Sequence, residues 1–209
     1  MFEVRIHGRG GQGVVTAAEL LSIAAFEEDR HAQAFPSFGS ERTGAPVMAF
    51  CRIDEKPIRS REPIAEPDAL ILQDPTLLLM PGIFSGLKKE GFVLINSRKT
   101  PSELHLSGIE HQLPEGHVIT VPATELALKF IGRPIPNAAL LGAFSELTGV
   151  IGLEALSKAI REKFNSDIAE RNIQAARAAS EAAQKEQAEE TTLIEDEKRE
   201  TSKLSEEIC

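Results

Sequence analysis

The beginning of the chain constrains its fold most. Residues 2–7 read as a β-strand, Gly8-Arg9-Gly10-Gly11-Gln12-Gly13 as a turn, and residues 14–27 as a helix. Glycine takes positive φ without a Cβ penalty, so the turn can be sharp and its main chain can be approached closely. In the helix, Val14, Val15, Ala17, Ala18, Leu20, Leu21, Ala24 and Ala25 leave few polar positions. That pattern belongs to a largely buried helix. A strand feeding such a helix through a tight turn is the opening unit of a layered α/β domain.

The turn also satisfies G-x-G-x-x-G in the strand-turn-helix setting that gives the pattern meaning. Main-chain N–H groups and about half a positive charge at the helix N-terminus suit an anion, and Arg9 can add a bidentate contact. Three readings stand: an anion or phosphate contact, a purely structural turn, and a dinucleotide site. The last wants an acid at the end of the second strand. Here Glu27, Glu28 and Asp29 come before that strand, and Ala34, Phe35 and Pro36 follow.

Further along, residues 69–73 and 92–96 are near-continuous apolar runs typical of central strands, and residues 117–121 form another. Residues 47–53 and 57–60 flank Asp54-Glu55-Lys56, a spacing that suits a hairpin. Helices are predicted at 74–79, 123–130, 137–147, 153–163 and 166–181, with Asp74-Pro75, Pro122 and Ser166 as start signals. The expected architecture is a three-layer α/β/α domain over residues 1–180 with a mixed, mostly parallel sheet. Residues 181–209 follow as an acidic tail, helical or disordered.

Charge supports that division. The chain has 23 Lys+Arg and 32 Asp+Glu, a formal charge of −9. Residues 181–209 hold ten acids and four bases, or −6, leaving −3 on residues 1–180. A near-neutral folded part has no positive field to gather nucleic acid or an anionic membrane. No window approaches a membrane span or a secretory leader, and two cysteines, Cys51 and Cys209, cannot form a disulfide framework. A reducing cytoplasm is the expected location.

Residues 34–46 combine prolines, glycines, hydroxyls, Phe35, Phe38, Glu41 and Arg42 in a stiff loop suited to facing a protein or ligand. The bland alternative packs Phe35 and Phe38 into the core and pairs Glu41 with Arg42. Nucleophile-elbow, zinc-protease, Walker and paired C-x-x-C patterns are absent, as is a thiamine diphosphate signature. His105, His111 and His117 have poor metal-ligand spacing. Hence no catalytic residue and no metal ligand is assigned.

Taken in order, HGRGGQGVVTAAELL, AQAFPSFGSERTGAPVMAFCRI, QDPTLL, LINS and PNAALLGAF resemble the gamma subunits of pyruvate:ferredoxin oxidoreductase (pyruvate synthase), within the 2-oxoacid:acceptor oxidoreductase family. The resemblance implies a subunit of an anaerobic enzyme that interconverts pyruvate plus coenzyme A (CoA) with acetyl-CoA plus CO2, exchanging electrons with ferredoxin and in reverse fixing CO2. It places thiamine diphosphate, Mg2+ and [4Fe-4S] clusters on other chains. Those thiamine-binding and iron–sulfur chains are the implied partners. It further implies that Gly8, Arg9, Gly10, Gly11, Gln12 and Gly13 face CoA phosphates, with Arg42 a looser candidate, and that the loop from Phe35 to Pro46 meets a neighbouring subunit. The alternatives are a related complex acting on 2-oxoglutarate, a branched 2-oxoacid or oxalate, or a stand-alone dinucleotide-binding protein.

Overall fold

A computed structural model describes residues 1–37 and 43–207. Six strands form one mixed sheet: β1 (Phe2–Arg9), β2 (His31–Pro36), β3 (Pro46–Asp54), β4 (Ala69–Leu72), β5 (Phe92–Asn96) and β6 (Val118–Val121), in the order β2-β3-β1-β4-β5-β6. The run β1-β4-β5-β6 is parallel, whereas β3 is antiparallel to both β1 and β2. The helices are α1 (Val14–Phe26), the short α2 (Ser107–Glu110), α3 (Ala123–Ile131), α4 (Asn137–Thr148), α5 (Leu153–Lys163) and α6 (Ser166–Glu207). The α/β class and the mixed sheet are as the sequence pattern implies.

Alternation along β1 sorts its side chains between two faces. Val4 and Ile6, with Cys51, Ile71, Leu94 and Ile119, pack against α1 and α3 to α6 in the main core. On the opposite face Leu72, Val93, Ile95 and Val118 meet Leu77, Ile83 and Leu106 in a smaller core. That second layer is thin, built from a 3-10 turn at Pro75–Leu79, α2 and connecting segments.

Two expectations change. The hairpin partner of β3 is β2, with Phe35 opposite Phe50, and residues 57–60 form no strand. The segment expected as a helix over 74–79 is a five-residue 3-10 helix, Pro75–Leu79, capped by Met80 and kept short by Pro81, which cannot continue it. Helix α6 extends well past residue 181, with Ala183 buried and Thr120 donating to Glu186 at 3.2 Å. Cys51 is fully buried, and burial pushes its thiol pKa up. Cys209 and Phe38 lie outside the described residues.

Candidate functional site

All the parallel strands point their carboxyl ends to one edge of the sheet, where ligands of open α/β folds bind. At that edge β1 runs into the glycine turn. The Gly10 N–H donates to Ala45 O at 2.9 Å and the Gly44 N–H to Gly10 O at 3.1 Å, so the entry to β3 clamps the turn from one side. Gly11 at φ 98° and Gly13 at φ 75° occupy the left-handed region. Gly13 then precedes α1 with no side chain capping the helix. Gly8 serves packing, because a Cβ there would lie 2.6 Å from Val14 Cγ2.

A cavity of about 490 Å³ opens over this turn, lined by Arg9, Gly10, Gly11, Gly13, the first turn of α1 and Thr43. Among the described residues, no group accepts from the main-chain N–H of Gly11, Gly13, Val14, Val15 or Thr16. Orphan donors at a helix start, reinforced by the helix dipole, attract an anion.

A polar network stiffens the rim. The Gln12 side chain accepts from Arg9 N at 2.7 Å and donates to Asp74 Oδ2 at 2.9 Å. The Arg9 guanidinium lies 3.3 Å from Asp74 and donates to Thr76 Oγ1 and Gly44 O. Asp74 caps the 3-10 turn by accepting from Thr76 N at 3.0 Å. Burial opposes its ionisation, but hydrogen bonds from Thr76 and Gln12 and the Arg9 charge outweigh that and hold its carboxyl below the usual range.

The family model described as pyruvate ferredoxin/flavodoxin oxidoreductase matches residues 3–182. The chain belongs to this family. The pyruvate/ketoisovalerate oxidoreductases common subunit gamma of Pyrococcus abyssi is 46% identical over 184 residues, covering 88% of this chain and 98% of the relative. The pyruvate synthase subunit PorC of Methanothermobacter thermautotrophicus is 47% identical over 185 residues, covering 88% and 97%. The crystal structure of the pyruvate oxidoreductase subunit PORC from Thermotoga maritima superposes with a TM-score of 0.72 at 38% identity, covering 86% of this chain and 95% of that one.

In this member of the pyruvate ferredoxin/flavodoxin oxidoreductase family, Arg9, Gly10, Gly11 and Gly13 line the cavity, whereas Gly8 and Gln12 support it from behind. Arg42 lies outside the described residues. Asp74, Thr76 and Thr43 join the site without having been singled out as binding residues. The signal for the first two was the Asp-Pro-Thr start motif, which reads equally as a plain cap. A dinucleotide fold needs β1-α1-β2 with adjacent parallel strands. Here β3 separates β1 from β2, and β2 ends in Phe35-Pro36 instead of an acid. His105 and His111 are exposed, while His117 stacks on Phe92 with ring centres 4.0 Å apart. Among the described residues, no three His, Cys, Asp or Glu side chains group as a metal site, and no helix is long and apolar enough to cross a membrane.

Proposed function

We propose that this chain is the gamma subunit of a CoA-acetylating pyruvate:ferredoxin oxidoreductase, and that its glycine turn holds a phosphate group of CoA. The reading rests above all on the unpartnered N–H groups of Gly11, Gly13, Val14, Val15 and Thr16 beside the cavity. CoA carries a diphosphate and a 3′-phosphate, which suit main-chain donors backed by Arg9, and it needs no acid for a ribose 2′-hydroxyl.

On this reading the chain contributes positioning. Holding CoA by its phosphates turns the approach of its thiol into a local step. Thiamine diphosphate, bound with Mg2+ on a partner subunit, supplies the carbanion chemistry, and iron–sulfur chains carry electrons to ferredoxin. The segment from Phe35 to Pro46, which joins β2 to β3, is the proposed contact with those partners. A cytoplasmic complex follows from the same reading. Names of relatives such as the common subunit gamma favour a second version, in which one gamma chain serves both pyruvate and branched 2-oxoacid complexes.

The test is reconstitution. Purified chain should give no pyruvate-dependent dye reduction alone, and full activity on addition of thiamine-binding and iron–sulfur subunits. Calorimetric titration of the complex should show CoA binding that is displaced by inorganic pyrophosphate. Activity from the chain by itself, or CoA binding indifferent to pyrophosphate, would sink the reading.

A further inference from the structure

A second cavity, of about 530 Å³, opens on the sheet face turned away from the helices, and Arg5, His7, Met48, Leu77, Met80 and Ile83 contribute to its lining. Its two ionisable residues are deeply buried, Arg5 at 8% exposure and His7 at 9%. Both stand on β1, alternating with the core residues Val4 and Ile6.

The partners of Arg5 are unusual for a buried cation. Its Nε donates to His7 Nε2 at 3.0 Å, and its Nη2 donates to Ile83 O at 3.2 Å and Ser85 O at 2.7 Å. All three acceptors are neutral. No carboxylate among the described residues pairs with this guanidinium, and burial lowers its pKa. Buried charges are normally paired, because a lone one forfeits hydration without recovering it. Among the described residues, neither Arg5 Nη1 nor His7 Nδ1 has an acceptor. Since His7 Nε2 accepts from Arg5, the imidazole proton resides on Nδ1.

The cavity therefore offers a cationic N–H and an imidazole N–H beside Met, Leu and Ile side chains. A few convergent polar groups in an apolar pocket of this volume are the ordinary make-up of a small-molecule site. A carboxylate has two oxygens for the two donors and one charge to match Arg5. A phosphate would bring a second negative charge, and Arg5 is the only cation lining the cavity among the described residues.

We propose that this cavity binds a small organic acid as its carboxylate, with the carboxylate on Arg5 and His7 and an apolar tail against Met48, Leu77, Met80 and Ile83. The site is separate from the glycine turn, although Val47 borders both cavities.

The probe is hexanoate, titrated into the full 209-residue chain while the imidazole resonances of His7 are followed by NMR. The expected result is a saturable shift at His7. Hexanamide, which keeps the shape and loses the charge, should bind about tenfold or more weaker, the scale of one charge-assisted hydrogen bond. Met80 is 41% exposed, so Met80→Trp should leave the fold intact and block hexanoate. The proposal falls if hexanoate causes no saturable shift, if hexanamide matches it, or if Met80→Trp binds as before. It also falls if hexanoate binds the free chain but is shut out of the assembled complex. That outcome would assign Arg5 to a carboxylate of a partner subunit.

Discussion

Arg9 and Asp74 stand 3.3 Å apart, joining the end of β1 to the turn after β4 across the edge where the glycine turn lies. The pair is only part of the link. Asp74 also accepts from Thr76 Oγ1 at 2.6 Å and from Gln12 at 2.9 Å, so one carboxylate ties the glycine turn to the 3-10 turn. An exposed ion pair adds little stability. Its consequence here is electrostatic: Arg9 cancels a negative charge that would otherwise sit beside the unpartnered N–H groups of the turn.

Removing Arg9 should therefore act twice on an anionic ligand, deleting an attraction and uncovering a repulsion. In the assembled complex, Arg9→Ala is expected to raise the KM for CoA by about tenfold, the effect of one charge-assisted contact. The KM for pyruvate should stay unchanged. Adding Asp74→Asn should recover part of the loss, since the uncovered charge goes too. Steady-state kinetics with each substrate varied in turn checks this, and equal changes in both KM values would detach the turn from CoA.

Gly13 carries two constraints at once. Its φ of 75° costs a side-chain-bearing residue about 1–2 kcal/mol, and an added Cβ would lie 2.6 Å from Asn137 Nδ2 at the start of α4. Gly13→Ala should lower the unfolding free energy by about 2 kcal/mol or more in urea titration and weaken CoA binding. Gly11→Ala meets no atom within 4 Å, so it should cost the backbone strain alone. Equal losses in the two variants would show that contact with Asn137 does not matter.

How much of this was legible depended on whether neighbours in sequence are neighbours in space. The β1 strand, the glycine turn and α1 form one local unit, and alternating then continuous apolar positions mark them plainly. The covered strands 69–72 and 92–96 announce themselves in the same way. Strand β2 does not: His31-Ala32-Gln33-Ala34 offers little apolar alternation, none of its residues is fully buried, and its place is set by pairing with β3. Asp54-Glu55-Lys56 then passes for a hairpin turn when it only leaves the strand. The glycine turn was legible as a candidate anion site, but Asp74 as the partner of Arg9 was not, because 65 positions separate the two. Arg5 and His7 look like the solvent face of a half-buried strand. They are buried because residues 83 and 85, about 80 positions away, fold over them.

Helix α4 packs its Gly142 directly against the main chain of helix α6. A Cβ on Gly142 would lie 2.0 Å from Ala176 O, a main-chain atom that cannot move aside alone. Around this contact Leu140, Phe144, Ala175 and Ala179 are fully buried. Gly142→Ala should therefore destabilise the chain by about 3 kcal/mol, at the upper end for overpacking. The measurement is the urea midpoint at constant m. A shift under a few tenths of a kcal/mol would mean that the two helices can part without loss.

His7 gives stability a pH dependence whose sign follows from its surroundings. Burial, and then the Arg5 charge, lower its pKa from 6.5 to about 4, so the folded chain keeps it neutral where the unfolded chain protonates it. Between about pH 4 and pH 6.5 the unfolded state binds more protons, and stability falls as the pH falls through that window. The full difference is on the order of 3 kcal/mol, reached near pH 4 and absent above pH 6.5. His7→Gln retains a donor and an acceptor but cannot protonate. Urea titrations across the window should show a shallower decline in His7→Gln than in the parent chain. Parallel curves would place the imidazole in contact with water and in ordinary titration.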